Sequence, residues 1–289
     1  TPENYWKANL PNSPIPPFLQ DLLSDHRLAA GESVPGEPHR TTTWLPGGKT
    51  VTKTWLPAGK LTTTDSSDRE SQMSLIFIEK DLRVGKLMNL NFWKPSDMAH
   101  FLPRHLADSI PFSSNNLPQI LHKFSLNPHS VESQVLKATL QECEAKPVEG
   151  EENFCATSLE SMVDYSLSKL GKGAIPLSTN ADEPRLREYR VTGVKRRSSD
   201  AKGSLVACHA LPYAYAVFFC HETTTAAAYE VDLTATDDGS ETGAVAVCHL
   251  DTAAWSSDHV AFRVLGVKPG EATVCHFLEQ GNVVWVPAK

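Results

Sequence analysis

No stretch of this 289-residue chain approaches the ~20 consecutive apolar residues that a bilayer-spanning helix needs, so no membrane span is expected. Basic charge is scarce as well: 27 Lys and Arg stand against 34 Asp and Glu, a formal net charge of −7. Nucleic-acid binding rests on clustered cations facing phosphates, so a general DNA or RNA partner is excluded. The one basic cluster, Arg185, Arg187, Arg190, Lys195, Arg196 and Arg197, reads as a solvated loop. Closely spaced C-x2–4-C pairs are missing, which sets aside the commonest structural zinc sites. No Asn-x-Ser/Thr acceptor occurs, so glycans lend no support to secretion. The first residue is Thr1 rather than Met, and a preceding segment, a secretion signal among the options, is expected to have been removed.

What is present argues for a packed core. Hydrophobic residues make up 40 % and aromatics 8 %, which excludes a wholly disordered chain. The length suits one large domain, or one domain plus a tail. The stretch from Tyr5 to Pro17 is Pro-punctuated, and residues 18–23 predict one short helix after it. From Gly31 to Asp68 the chain is rich in Thr, Gly, Pro, Ser and Lys, a composition that buries too little apolar surface to offset its ordering entropy, so 25–70 is expected to be a flexible arm. Within it Thr43-Trp44-Leu45-Pro46-Gly47-Gly48-Lys49 returns as Thr54-Trp55-Leu56-Pro57-Ala58-Gly59-Lys60. Two short copies cannot build a solenoid. Tryptophan normally seeks burial, so the repeat is either a linker that docks on the folded part or a segment presented for chemistry.

Residues 71–289 read as the folded domain. Leu75, Phe77 and the run to Asn91 alternate as strands, interrupted at Gly85. Val131, Val135, Leu136 and Leu140 predict a helix capped by Ser130. Leu159, Met162, Val163, Ser166, Leu167 and Leu170 predict another, with Thr157 and Glu160 as its capping box. Beyond Tyr189 nearly everything reads as short strands, with turns at Asp237-Asp238-Gly239, Glu241-Thr242-Gly243 and Pro269-Gly270. The order predicts an α+β fold: a helical N-terminal part followed by a mainly antiparallel β-sheet or barrel, stapled by disulfides.

The chemistry concentrates in four Cys-His dipeptides, Cys208-His209, Cys220-His221, Cys248-His249 and Cys275-His276. Each ends or interrupts an apolar run. If the runs are strands, neighbouring residues face opposite ways, so one dipeptide cannot readily chelate one ion with both its side chains. The four cysteines then form one layer and the four histidines another. A sulfur layer in an oxidising compartment makes disulfides, and an all-imidazole set suits copper(II), whose redox chemistry zinc lacks. The bland alternative leaves the histidines as satisfied hydrogen-bonders around structural disulfides. Cys143 and Cys155 read as a separate closed loop, and the other four cysteines allow three pairings. On a regular strand, Tyr213 and Tyr215 share the face of His221; either could line the site, although core packing is the stronger reading for both.

These residues resemble the BURP domain of plant proteins. The resemblance rests on the four Cys-His pairs with Trp285 after them, on Phe77-x-Glu79-Lys80-Asp81-Leu82, and on Phe101-Leu102-Pro103-Arg104. It extends to Cys155-Ala156-Thr157-Ser158-Leu159-Glu160-Ser161-Met162 and to Pro212-Tyr213-x-Tyr215-x-Val217-x-x-Cys220-His221. Tyr5-Trp6-x-x-x-Leu10-Pro11-Asn12-x-Pro14 is similar to the segment preceding many such domains. The resemblance implies a secreted or vacuolar plant protein with 1–24 as an N-terminal segment, 25–70 as the arm and 71–289 as the domain. Some members are copper-dependent, autocatalytic peptide cyclases; others are known as stress-, seed- or cell-wall-associated proteins. It implies His209, His221, His249 and His276 as copper ligands, with His259 a weaker one. Two departures stand out: Ser256-Ser257 in place of Asn-Pro, and Gly281-Asn282 where an acidic residue and a histidine are common, which removes a polar group near the site. The expected function is oxidative crosslinking by copper and O2 of Trp44 or Trp55 in core peptides on the chain's own arm, which makes the arm its partner. The alternative is a non-catalytic, metal-binding, disulfide-rich protein of the cell wall or vacuole. The sequence sets no oligomeric state.

Overall fold

The computed structural model describes residues 1–23, 74–93, 98–146, 152–181, 185–197 and 204–288, together with the strand backbone of 39–45, 49–55 and 61–62. Seven α-helices are found among them: α1 (Pro2–Asn9), α2 (Pro17–Asp21), α3 (Arg104–Ala107), α4 (Leu117–Lys123), α5 (Val131–Glu144), α6 (Leu159–Leu170) and α7 (Val260–Leu265). The strands are β1 (His39–Leu45), β2 (Lys49–Trp55), β3 (Leu61–Thr62), β4 (Ile76–Ile78), β5 (Leu87–Leu90), β6 (Asn153–Ala156) and β7 (Ile175–Leu177). They continue as β8 (Arg187–Arg196), β9 (Leu205–Leu211), β10 (Val217–Thr223), β11 (Ala226–Ala235), β12 (Glu241–His249), β13 (Val274–Phe277) and β14 (Asn282–Val286).

Two antiparallel sheets carry the domain. Sheet one has the order β6-β10-β9-β14-β7 and sheet two the order β4-β13-β12-β11-β8-β5; both are open, so the expected sheet is met twice and a closed barrel is not. The chain passes between them several times; its last crossing to sheet two is at Thr224-Thr225, where Thr225 adopts φ 63°, and it returns through the turn at Gly281 with φ 93°. Their facing sides meet in one apolar cluster: Leu177, Leu205, Ala207, Val284 and Val286 from sheet one against Ala226, Ala228, Val245 and Val247 from sheet two. Helices α1, α2 and α6 cover the far side of sheet one through Trp6, Leu19, Leu159, Met162 and Val163. Sheet two curls over its own far side. Phe92, just beyond edge strand β5, reaches Phe277 on β13 at 5.7 Å between ring centroids.

Local sequence explains most elements. Ser130 caps α5, accepting from Ser133 N–H at 3.2 Å, as expected. The capping box of α6 belongs to Ser158 and Ser161, one residue later than Thr157: each side-chain oxygen accepts the other's backbone N–H at 3.1 Å. Helix α1 is a correction to the Pro-punctuated reading. Pro2 sits at a first-turn position, where no amide bond is lost, and Thr1 Oγ1 accepts from Asn4 N–H. Glu241-Thr242-Gly243 lies inside β12 rather than at a turn, because the preceding Asp237-Asp238-Gly239 already reverses the chain, with Gly239 at φ 75°. The basic cluster lies on and around β8, and Arg187 is buried against Asp237 and Asp238 instead of solvated in a loop.

Within the arm, β1, β2 and β3 make a small antiparallel sheet in which Trp44 pairs with Thr50 and His39 with Trp55. The backbone of β1 lies alongside β9. The Pro-Gly segments after each Trp-Leu, expected to turn, lie outside the described residues, as does the rest of 24–73.

Candidate metal centre

All six cysteines are oxidised, as Cys143–Cys155, Cys208–Cys220 and Cys248–Cys275. Cys143–Cys155 joins α5 to β6. The other two are cross-strand bonds between directly paired residues of β9 and β10, and of β12 and β13. Strand alternation then decides the rest. Cys208 and Cys220 face the helices with Val206 and Phe218, whereas Cys248 and Cys275 face the curled side of sheet two with Ala246 and Phe277. The expected single sulfur layer is therefore two layers, one behind each sheet, because the four dipeptides divide between the sheets. The histidines, one residue on, all project into the space between.

His209 and His221 stack with ring centroids 5.4 Å apart and an interplanar angle of 15°. His249 and His276 do the same at 5.6 Å and 18°. Each pair is diagonal in register, since His221 stands opposite Ala207 and His276 opposite Val247. The pairs sense each other electrostatically: His249 lies close enough to act on His221, and His209 on His276. His209, His221 and His276 are buried, while His249 is half-buried and forms the side nearest solvent.

Burial is the main force on their protonation. Desolvation lowers the pKa of His209 to about 4, against a hydrogen bond that the ring donates to Asn282 Oδ1 and that favours the charged form. It lowers His249 to about 4 as well, helped by His259. Desolvation first, and neighbouring imidazoles second, hold His221 and His276 well below the ordinary value. The rings are therefore neutral at pH 7, the state in which imidazole donates a lone pair.

Asn282 sets the direction of one of those lone pairs. Its Nδ2 donates to Glu279 O at 3.0 Å, so its Oδ1 faces His209 Nδ1 at 3.0 Å and accepts from it. The proton of His209 is thereby fixed on Nδ1, and Nε2 points at His221 Nε2, 3.3 Å away. The expected loss of a polar group at Gly281-Asn282 is corrected here: Asn282 pairs directly with His209 across the ladder and supplies the contact. Its strand parity was the signal, since Val284 and Val286 face the inter-sheet space.

Two imidazole nitrogens bound to one tetrahedral ion at ~2.0–2.1 Å sit about 3.3 Å apart, and the His209–His221 nitrogens already have that spacing. His249 Nε2 has no hydrogen-bond partner among the described residues, and His276 and Trp255 pack against its ring. Among the described residues no three His, Cys, Asp or Glu side chains are arranged as a finished ligand set. The donor chemistry fits a metal, and both stacked pairs would have to close on it.

His259 caps α7, its Nδ1 accepting from Ala261 N–H at 3.2 Å, and burial lowers its pKa to about 4. Between it and His249 lies Trp255, with centroids 4.7 Å from His259 and 4.9 Å from His249. Sequence reasoning missed Trp255 as part of the site; its position four residues before His259, on a turn leading into a helix, was the available signal. Tyr213 and Tyr215 are placed elsewhere. Strand β10 begins only at Val217, so the face-sharing argument fails for residues 213 and 215, and both tyrosines pack under α3–α5 with Phe112 and Phe124. Burial raises both phenol pKa values, and neither hydroxyl has a hydrogen-bond partner among the described residues.

Fold and site together define a disulfide-stapled α+β domain built on two sheets with an imidazole layer between them. The BURP-domain sequence profile matches residues 75–287, and the chain belongs to the BURP-domain family of plant proteins. It is 49 % identical over 220 residues to BURP domain-containing protein 3 of Oryza sativa subsp. japonica, covering 75 % of this chain and 51 % of that one. It is 40 % identical over 294 residues to BURP domain-containing protein 5 of the same rice, covering 99 % and 86 %. Against BURP domain protein RD22 of Arabidopsis thaliana it is 44 % identical over 220 residues, covering 73 % and 55 %. The chain thus spans about half the length of the first and third of these relatives. No described helix is long and apolar enough to cross a membrane.

Proposed function

We propose that this chain is a copper-dependent peptide cyclase that oxidatively crosslinks a tryptophan of its own arm, Trp44 or Trp55, with O2 as oxidant. One observation carries the reading: four neutral imidazoles from two sheets gather in one layer while every cysteine is locked away as disulfide. Nitrogen is then the donor on offer, which suits copper(II) near the top of the divalent affinity order. His209, His221, His249 and His276 would hold the ion, with His259 behind Trp255 as a fifth imidazole. Copper bound there supplies one-electron oxidation.

The chain's own residues do the rest. Asn282 keeps the His209 proton on Nδ1 and its lone pair inward. Trp255 packs against His249 on the side nearest solvent. The arm is tethered, so a weakly held substrate still meets the site at high effective concentration, and β1, which carries Trp44, runs beside β9, which carries His209. The net step forms one bond between the tryptophan side chain and a neighbouring carbon, breaks one bond to hydrogen on each, and delivers two electrons and two protons to O2. The disulfides favour an oxidising compartment, and we assign the protein to the secretory pathway, ending in the vacuole or the cell wall.

Incubating metal-free protein with copper and oxygen and then mapping peptides tests the proposal. Loss of two hydrogens from the peptide holding Trp44 or Trp55 is expected. Unchanged masses at several copper loadings would reject it. They would instead favour a non-catalytic, disulfide-rich metal binder of the wall or vacuole. In that case His249→Ala changes copper content and no product.

A further inference from the structure

Residues 1–22 are held to the domain by side chains as well as by the covalent path. Trp6 is 1 % exposed, its ring centroid lies 5.5 Å from that of Trp285, and its Nε1 donates to Ser13 O at 2.8 Å. Leu10, Phe18, Leu19 and Leu22 are buried in the same cluster, behind the strands that carry Cys208 and Cys220. Phe18 meets Phe218 edge-on at 6.2 Å, and Phe101 N–H donates to Leu22 O at 2.9 Å. On the rim, Tyr5 donates to Asp164, which also accepts from Arg104 at 2.6 Å, while the Arg104 guanidinium lies 4.9 Å over the Tyr5 ring. The chain is fixed again past the arm, where Leu75 and Phe77 are buried and β4 pairs with β13. All three disulfides lie between Cys143 and Cys275, so none of them spans the arm.

We infer that residues 1–22 are a built-in ligand of the outer face of sheet one, and that a cut within 24–73 leaves the protein as a tight two-piece complex. The partner that this face fits is the chain's own amino-terminal segment: two short helices presenting aromatic and aliphatic anchors to a preformed apolar surface, the kind of anchor that dominates interface affinity. The inference extends the proposed function, on which its consequence rests: an arm pinned at both ends presents its tryptophans in a closed loop. Release of a crosslinked product then takes two cuts, both of which leave the amino-terminal piece seated.

The test replaces residues 64–69 of the full chain with a specific-protease site, cuts the folded protein, and follows it by native mass spectrometry and size exclusion at micromolar concentration. Both pieces are expected in one species whose mass is their sum, separating only in denaturant. Trp6→Ala, folded intact and then cut, is expected to lose the piece on the order of 100-fold faster; Phe18→Leu serves the same comparison should that variant not fold. Separation of the pieces under native conditions, or exchange with labelled uncut-length fragment within minutes, overturns the inference. Neither readout depends on copper or on a crosslink, so failure of the cyclase reading leaves this one standing, and the reverse.

Discussion

Asn282 shows how one amide can govern an imidazole. Its Nδ2 is spent on Glu279 O, which leaves only Oδ1 for His209 and decides which ring nitrogen keeps the proton. Asn282→Ala is expected to weaken copper binding about 10–100-fold by releasing that orientation, while the thermal transition moves little; isothermal titration on the metal-free protein checks it. An unchanged affinity would show that the ladder alone orients the ring. At the same scale, Trp255→Ala exposes His249 and His259, so the intrinsic fluorescence lost with Trp255 should remove most of any copper-induced quenching. Quenching that persists undiminished would place the ion away from this corner.

Elements explain why the site exists in duplicate. In each sheet a disulfide between directly paired cysteines sits on one side, and the next residue on each strand sends its imidazole to the other. Alternation along a strand is local geometry, and for that reason the separation of sulfur from nitrogen was legible in the sequence. Which strands pair is non-local, so neither the pairing Cys208–Cys220 with Cys248–Cys275 nor the split into two sulfur layers could be read there. Val131, Val135, Leu136 and Leu140 announce α5 through their spacing, whereas α3 and α7 span too few residues to show a period. Cys143–Cys155 closes a loop between α5 and β6; replacing both cysteines with Ala is expected to cost about 2–4 kcal/mol, read from denaturant melts, without loss of the imidazole layer. A cost near zero would mean that the loop is already fixed by packing.

At the scale of the molecule, burying so many imidazoles couples stability to pH. The pKa values of His209 and His249 are about 4 in the folded protein against an ordinary value near 6.5. Below pH 6.5 the unfolded chain takes up protons that the folded one refuses, so stability is full above that value and falls as pH drops toward 4. Each of these two histidines then removes about 2 kcal/mol between pH 7 and pH 5. The metal-free protein should melt on the order of 10 °C lower at pH 5; a flat profile between those values would show that the imidazoles are hydrated. Packing of the amino-terminal segment acts at this scale too. Trp6→Ala in the uncut chain should cost about 3–5 kcal/mol, because it empties a cavity beside Trp285.

The sequence by itself determined family, class and the division of labour within each Cys-His dipeptide, because motif spacing and strand alternation are properties of short, contiguous segments. Tertiary structure alone decided that β9 and β10 face β12 and β13, that Asn282 stands opposite His209, that Trp255 leans on His249, and that Tyr213 and Tyr215 turn away under the helices. Those facts depend on contacts between residues far apart in the chain, and such contacts are chosen by the packing of the whole core.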